Sequence, residues 1–355
     1  MRTLIVSALS LTVLLPGFSQ TGANTGPGLP KEPREILAAA ARFYDFSSPE
    51  LKPWHLKAIY RLYDLKGNPT EQGTWEYWWA SPKVHRSSWT RAGAEHTEWW
   101  TAGGALYRKD SGNSLRYFER TMEETLLFPL PGRGVLDSGR MKFDLKMLPP
   151  DKPDFECVFT TLQWLVDAKL QAPSSGMASY YCFDPATLAL RMTYSNQLTK
   201  QFSELVKTQG RYLARQVVVT EGKQKLFTAS VETVESLNTA DAMFSPPADA
   251  TLEQRAESPH GDSQGDVTTG SLVKKTQPVY PLASKMAREQ GVVVLGAVIG
   301  ADGKIHDLEV LASPSPLLAE SAVDSVKKWE YKPYMLNGQA VEVETIVNVT
   351  YSFGK

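Results

Sequence analysis

The sequence predicts two domains: a mainly-β, curved antiparallel half-barrel with about two helices, followed by a small α+β domain in which two helices cover a three-stranded antiparallel sheet. Three observations predict this. Between Trp54 and Leu237 apolar residues recur at every second position, the period of a half-buried strand, in runs separated by turn residues. From Ser245 to Gly270 the periodicity stops in a stretch rich in proline, glycine and acidic residues. Beyond it the order helix, strand, strand, helix, strand fills the last ~80 residues.

A chain of 355 residues is long enough for two ordinary cores, and 42% hydrophobic with 22% charged residues is a globular composition. A formal net charge of -1, with no long run of lysine and arginine, provides no field for nucleic acid or an anionic membrane. Both are set aside as partners.

Residues 1–19 read as a secretory signal: Arg2, an apolar run from Leu4 to Leu15, helix-breaking Pro16-Gly17, and small residues suited to cleavage before Gln20. The run is about a dozen residues, shorter than the ~20 of a spanning helix. The mature protein is therefore expected to be exported and soluble, with an uncleaved membrane anchor as the alternative.

The first domain, residues 31–244, opens on a helix in "PREILAAAARFYDF", with Pro33 in the first turn and Ile36, Leu37, Ala40 and Phe43 on one face. Strands follow in "WHLKAIYRLYD", "GTWEYWWAS", "HRSSWTR", "EHTEWWTAG", "LALRMTYSN", "RQVVVTE" and "KLFTASVETVESL". Only "SLRYFERTMEETLL" interrupts them, with Leu115, Phe118, Met122 and Leu126 at helical spacing. Trp54, Trp75, Trp78, Trp79, Trp89, Trp99, Trp100 and Trp164 crowd this part. Such rings either fill the core of a curved sheet, the first expectation, or line a cavity for an apolar ligand.

The only two cysteines, Cys157 and Cys182, lie in the strand-like runs "FECVFTTL" and "SYYCFDP". In an oxidising compartment a structural disulfide is expected, with two buried thiols as the alternative.

Residues 245–270 are expected to be a flexible linker. In the second domain, residues 271–355, "QPVYPLASKMAREQG" reads as a helix led in by Pro281 and stopped by Gly291, with Leu282, Met286 and Ala287 inward. "VVVLGAVIGADGKIHDLEVLAS" is a hairpin around Asp302-Gly303. "SPLLAESAVDSVKKWEYKP" is a second helix with Leu318, Ala322, Val326 and Trp329 on one face. The closing strand "VEVETIVNVTYSFGK" alternates, with Val343, Thr345, Val347, Val349, Tyr351 and Phe353 on one side, and its outer edge is expected to be left unpaired.

No catalytic constellation is legible, and neither a metal nor a cofactor is expected. "GDSQG", Gly261 to Gly265, matches the G-x-S-x-G pattern, but that serine works on a strand-to-helix turn beside a histidine base, and Ser263 lies in the linker. His55, His85, His96, His260 and His306 are scattered, with no pair spaced to share a metal. Glu71, Glu76, Glu95 and Glu98 are candidates for a carboxylate pair only if the fold brings two together.

From Pro278 on the chain resembles the C-terminal domain of TonB-type energy transducers. The resemblance rests on "PVYP", on "GVVV", on the turn "ADGKI", on S-x-x-x-L entering the second helix, on W-x-Y-x-P at its end, on "NG" and on the alternating last strand. It implies that the last strand receives a short extended segment, the TonB box, from an outer-membrane transporter in the periplasm. The receiving residues would be Val343, Glu344, Thr345, Ile346, Val347, Asn348, Val349, Thr350, Tyr351, Ser352 and Phe353, through strand addition. Tyr280-Pro281, Gly291, Asp302-Gly303, Trp329 and Tyr331 are then structural: turn, helix stop, hairpin turn and core. The first domain resembles, on pattern alone, the lipoprotein-carrier (LolA-like) fold, which implies a lipid or other apolar ligand. The expectation is a non-enzymatic periplasmic protein that docks a transporter peptide; a periplasmic carrier of a lipid, lipoprotein or other apolar ligand is the alternative. A tryptophan-lined pocket would favour the carrier, an open last edge the adapter.

Overall fold

The computed structural model describes residues 30–132, 136–137, 141–148, 154–162, 164–166, 169–171, 178–238, 241–253, 272–336 and 338–353. The secretory signal, Ser263 and His260 lie outside these residues.

The chain enters through α1 (Pro33–Ala41), which buries Ile36, Leu37 and Ala40 as its periodicity requires. A meander of β1 (Trp54–Tyr63), β2 (Pro69–Ser81), β3 (Val84–Arg91), β4 (Ala94–Trp100) and β5 (Leu106–Gly112) follows. Two short helices come next, α2 (Tyr117–Arg120) and α3 (Met122–Leu126), broken at Thr121 where φ is -93° and ψ 13°. Then come β6 (Met141–Leu148), β7 (Phe155–Leu162), the small pair β8 (Trp164–Val166) and β9 (Lys169–Gln171), and β10 (Ala178–Phe183). The run continues with β11 (Leu190–Ser195), β12 (Leu198–Thr208), β13 (Arg211–Glu221), β14 (Gln224–Ser236) and β15 (Thr251–Glu253).

These strands, β8 and β9 apart, form one open antiparallel sheet of thirteen, in the order β15-β5-β4-β3-β2-β1-β14-β13-β12-β11-β10-β7-β6. Register shifts at Lys57/Ala58, Cys182/Phe183 and Val219/Thr220 are bulges of the kind that bend a long sheet. The stretch expected to be linker from Ser245 onward therefore contributes a strand, Thr251–Glu253, paired with Leu106–Arg108. Residues 254–271 lie outside the described ones.

The inner face of the sheet holds the aromatic row. Trp54, Trp75, Tyr77, Trp79 and Trp89 are buried, and neighbouring rings lie 5.3 to 6.4 Å apart. Their polar ends are tied into the structure: Trp75 Nε1 donates to Ser87 Oγ (2.8 Å) and Trp89 Nε1 to the Glu119 carbonyl (2.9 Å). The tryptophans on this face are core, filled from above by Phe118, Met122, Leu126 and Leu127 around Tyr60 and Phe227. We call α2–α3 the plug.

The expected disulfide joins Cys157 on β7 to Cys182 on β10, which face each other across the ladder and are fully buried.

The second unit starts with β16 (Leu272–Lys274), α4 (Leu282–Met286), β17 (Gly291–Ile299), β18 (Ile305–Ala312) and α5 (Pro316–Val326). It ends with β19 (Glu330–Tyr331), the hairpin β20 (Tyr334–Leu336) and β21 (Gln339–Val341), and β22 (Val343–Tyr351). Its main sheet is antiparallel, in the order β18-β17-β22.

Two expectations for α4 are corrected. Its five residues leave Leu282 73% and Met286 79% exposed, and only Ser284 is buried, because the sheet face is already covered by Leu318, Ala322 and Val326 of α5. The helix also stops before Gly291: Ala287 is its C-cap and Arg288 takes positive φ, while Gly291 opens β17 against Pro314.

Among the described residues, no helix is long and apolar enough to cross a membrane.

Candidate functional site

Among the described residues the closing strand pairs on one side only. β22 runs antiparallel to β17 from Val343↔Ile299 to Tyr351↔Gly291, and among the described residues no strand lies along its other edge. Alternate main-chain N–H and C=O groups of such a strand point outward, which is what an incoming extended segment can use.

Its side chains fix the register. Val347, Val349 and Tyr351 are buried with Leu295, Leu318, Ala322, Val326 and Trp329, so a slip of one residue would expose that row. Val343 and Thr345 are half-buried, whereas Asn348 and Thr350 are exposed. Ser352 and Phe353 lie past the end of the strand; the Phe353 ring stacks on Tyr280 at 5.5 Å, and Tyr280 meets Tyr351 edge-on at 5.3 Å.

α5 carries the support. Ser315 is its N-cap, its Oγ accepting from the Leu318 N–H at 3.4 Å, and Pro316 follows in the first turn. Trp329 Nε1 and Ser325 Oγ both donate to the Thr276 carbonyl, at 2.8 and 2.6 Å, which lays the lead-in to Tyr280 along the helix. Ser315→Ala should lower stability by about 1 kcal/mol, read in a urea titration. An unchanged midpoint would show that the cap contributes nothing.

The remaining motif residues make contacts within the second unit. Pro281 caps α4, and the Tyr280 hydroxyl donates to the Glu289 carbonyl. Asp302 Oδ1 accepts from the Lys304 N–H in the hairpin turn. At Gly303 φ is +78°, and a Cβ there would stand 2.0 Å from the Tyr331 carbonyl oxygen, so the turn and β19 can approach only with glycine. Burial pushes the Tyr331 phenol up to about 12.

The other face of the same sheet meets the first unit, a contact with no local sequence signal. Val294, Leu311 and Ala312 are buried in the first unit's core, with Val292 and Ile346 packed against it. A Cβ at Gly296 would come within 2.8 Å of the Tyr117 ring, so α2 seats on β17 because that residue has no side chain. The Tyr117 N–H donates to Glu309 Oε2 at 2.8 Å. Arg116 lies 3.9 Å from Glu309, and Arg120 lies 3.4 Å from Asp307 and 2.5 Å from Glu344 of β22. Burial holds the Glu309 carboxyl above its ordinary range, offset in part by the Tyr117 N–H and the two arginines. Burial likewise raises the Tyr117 phenol.

Behind Arg120 is a buried polar cluster. Glu119 accepts from the Tyr60 hydroxyl, from Arg91 Nε at 2.9 Å and from the Arg116 N–H at 2.6 Å, and Arg91 also pairs with Glu71 at 2.9 Å. Of the carboxylates that sequence singled out, Glu71, Glu76 and Glu98 are bonded to arginine or imidazole side chains. Glu76 bonds to His55 at 2.9 Å, and Glu98 to His96 and Arg108 at 3.1 Å each. Among the described residues no His, Cys, Asp and Glu cluster is placed to hold a metal ion.

Comparison with known proteins gives a family match within the second unit. Residues 276–353 match the family model of the Gram-negative bacterial TonB protein C-terminal. No curated protein matches the chain. Several solved structures are similar to it, three of them as follows. One is an outer membrane lipoprotein-sorting protein domain from Vibrio parahaemolyticus, 8% identical with TM-score 0.36, covering 59% of this chain and 94% of that one. Another is a DUF1329 family protein from Desulfovibrio piger, 11% identical with TM-score 0.36, covering 60% and 95%. The third is a LolA superfamily protein from Nitrosomonas europaea, 9% identical with TM-score 0.35, covering 60% and 97%.

Proposed function

We propose that the C-terminal unit takes an extended peptide onto the outer edge of β22, that the peptide is a TonB box from an outer-membrane transporter, and that the protein serves TonB-dependent transport in the periplasm without catalysing a reaction. The observation that carries this is the edge itself: a nine-residue strand, paired on one side, with its register locked by Val347, Val349 and Tyr351. The family match over residues 276–353 supports the same reading. The carrier alternative has less support, because Phe118, Met122 and Leu126 occupy the space above the aromatic face where an apolar ligand would sit.

Strand addition supplies affinity through main-chain hydrogen bonds and register through alternate side chains. A short flexible segment must be ordered as it docks, so binding is expected in the micromolar range or weaker. The test is a titration of the full exported chain with short synthetic peptides copied from the periplasmic ends of outer-membrane transporters, followed by amide hydrogen exchange. Protection should appear between Val343 and Tyr351. Protection centred on Tyr280 instead, or none with any peptide, would refute docking on this edge.

A further inference from the structure

We propose that the edge strand and the plug are one mechanical unit joined through Arg120, so that occupancy of β22 is felt inside the first unit and displacement of the plug is felt at β22. This deepens the docking proposal and, in its peptide arm, rests on it.

Arg120 stands at the junction. Its Nε is 2.5 Å from Glu344 on β22, its Nη1 is 3.4 Å from Asp307 on β18, and the same Nη1 donates to the Leu115 carbonyl at 2.5 Å. Only 18% of its side chain and 29% of Glu344's is exposed, so the pair is less screened than a surface ion pair. The preceding residue continues inward: the Glu119 carbonyl holds Trp89, and its carboxylate holds Tyr60 and Arg91. Two sets of polar contacts, joined covalently at the Glu119–Arg120 peptide bond, thus connect the edge that would receive a guest with the middle of the aromatic face.

The element that could shift is also visible. α2 and α3 are single turns separated at Thr121, and they are gripped from both sides, by the large sheet below and by β17, β18 and β22 above. Coupling needs an element whose position both sites bias, and the plug has contacts with both. Adding a strand to an edge fixes that edge's backbone and twist, and Glu344 is carried on it. Energetic coupling of this kind is reciprocal.

The test uses the full exported chain and reads each perturbation on the opposite segment. Glu344→Lys, made on β22, should speed amide exchange across residues 117–126, and Arg120→Ala, made on the plug, should speed exchange across residues 343–351, each roughly threefold to thirtyfold. Exchange in β11–β13, remote from the junction, should not change. The double variant should be no worse than the larger single one, since both break one connection. In the peptide arm, a transporter peptide that protects residues 343–351 should also change exchange in 117–126. If the peptide binds and 117–126 stays unaltered, the coupling is refuted while docking stands. If no peptide binds, docking fails and the two variants decide the coupling alone: no cross-effect from either refutes it. Global loss of protection would mean unfolding; the milder Glu344→Gln, which removes charge without reversing it, must then show the same local effect at smaller size, or the proposal falls.

Discussion

Replacing Glu119 with alanine is expected to cost about 3–5 kcal/mol of stability, the range for removing one partner of a buried ion pair. Glu119 is fully buried and accepts three hydrogen bonds, from Tyr60, Arg91 and the Arg116 N–H. Its loss leaves the Tyr60 hydroxyl without this acceptor and leaves the Arg91 side chain, only 4% exposed, with Glu71 as its remaining carboxylate. A urea titration should show the transition moving sharply lower, and tryptophan fluorescence can follow it because Trp89 Nε1 donates to the Glu119 main-chain carbonyl, which alanine retains. Glu119→Gln keeps an acceptor and should cost less. A change below about 1 kcal/mol in the alanine variant would mean that the cluster does not hold the plug in place.

The second large effect belongs to the disulfide. Exchanging Cys157 and Cys182 together for alanine should lower stability by about 3 kcal/mol, since the bridge closes a 25-residue separation in the unfolded chain. Thiol titration of the unfolded, non-reduced protein should find no free thiol. The bridge joins β7 to β10 near the β6 edge of the sheet, far along the strand order from β1 and the plug. Under reducing conditions amide exchange should therefore rise first at β6, β7 and β10. An equal rise at β1–β4 would show that the sheet opens as one unit.

Much of this fold was legible because it rests on alternation. In β1 the residues Trp54, Leu56, Ala58, Tyr60 and Leu62 face inward as the period of two requires, and β22 obeys the same rule. β5 and β12 were not legible: "LYRKDSG" and "LTKQFSELVKT" bury few side chains, so their membership in the sheet comes from backbone pairing with neighbours. The face of α4 departs from its helical spacing because this short helix finds its sheet already covered by α5. At the candidate site, the strand and its inward row were readable and the face opposite was not. Tyr117 and Glu309 lie 192 residues apart, and no local pattern links a tyrosine in a short helix to a missing side chain at Gly296. Glu119 was readable only as an acid beside the apolar stripe of Phe118, Met122 and Leu126; its burial depends on partners contributed by two strands.

The pairing of β1 with β14, Trp54 against Ser236 through Leu62 against Phe227, decides when this protein can fold. The first five strands are successive neighbours and can form hairpins as they emerge, but the inner partner of β1 arrives some 170 residues later. Contacts so distant in sequence are slow to close. Until they do, a nascent chain shows a ten-residue strand with one edge unpaired and an aromatic face uncovered, the kind of surface that recruits other chains. Delay leaves any product truncated before β14 without a native way to hide that edge.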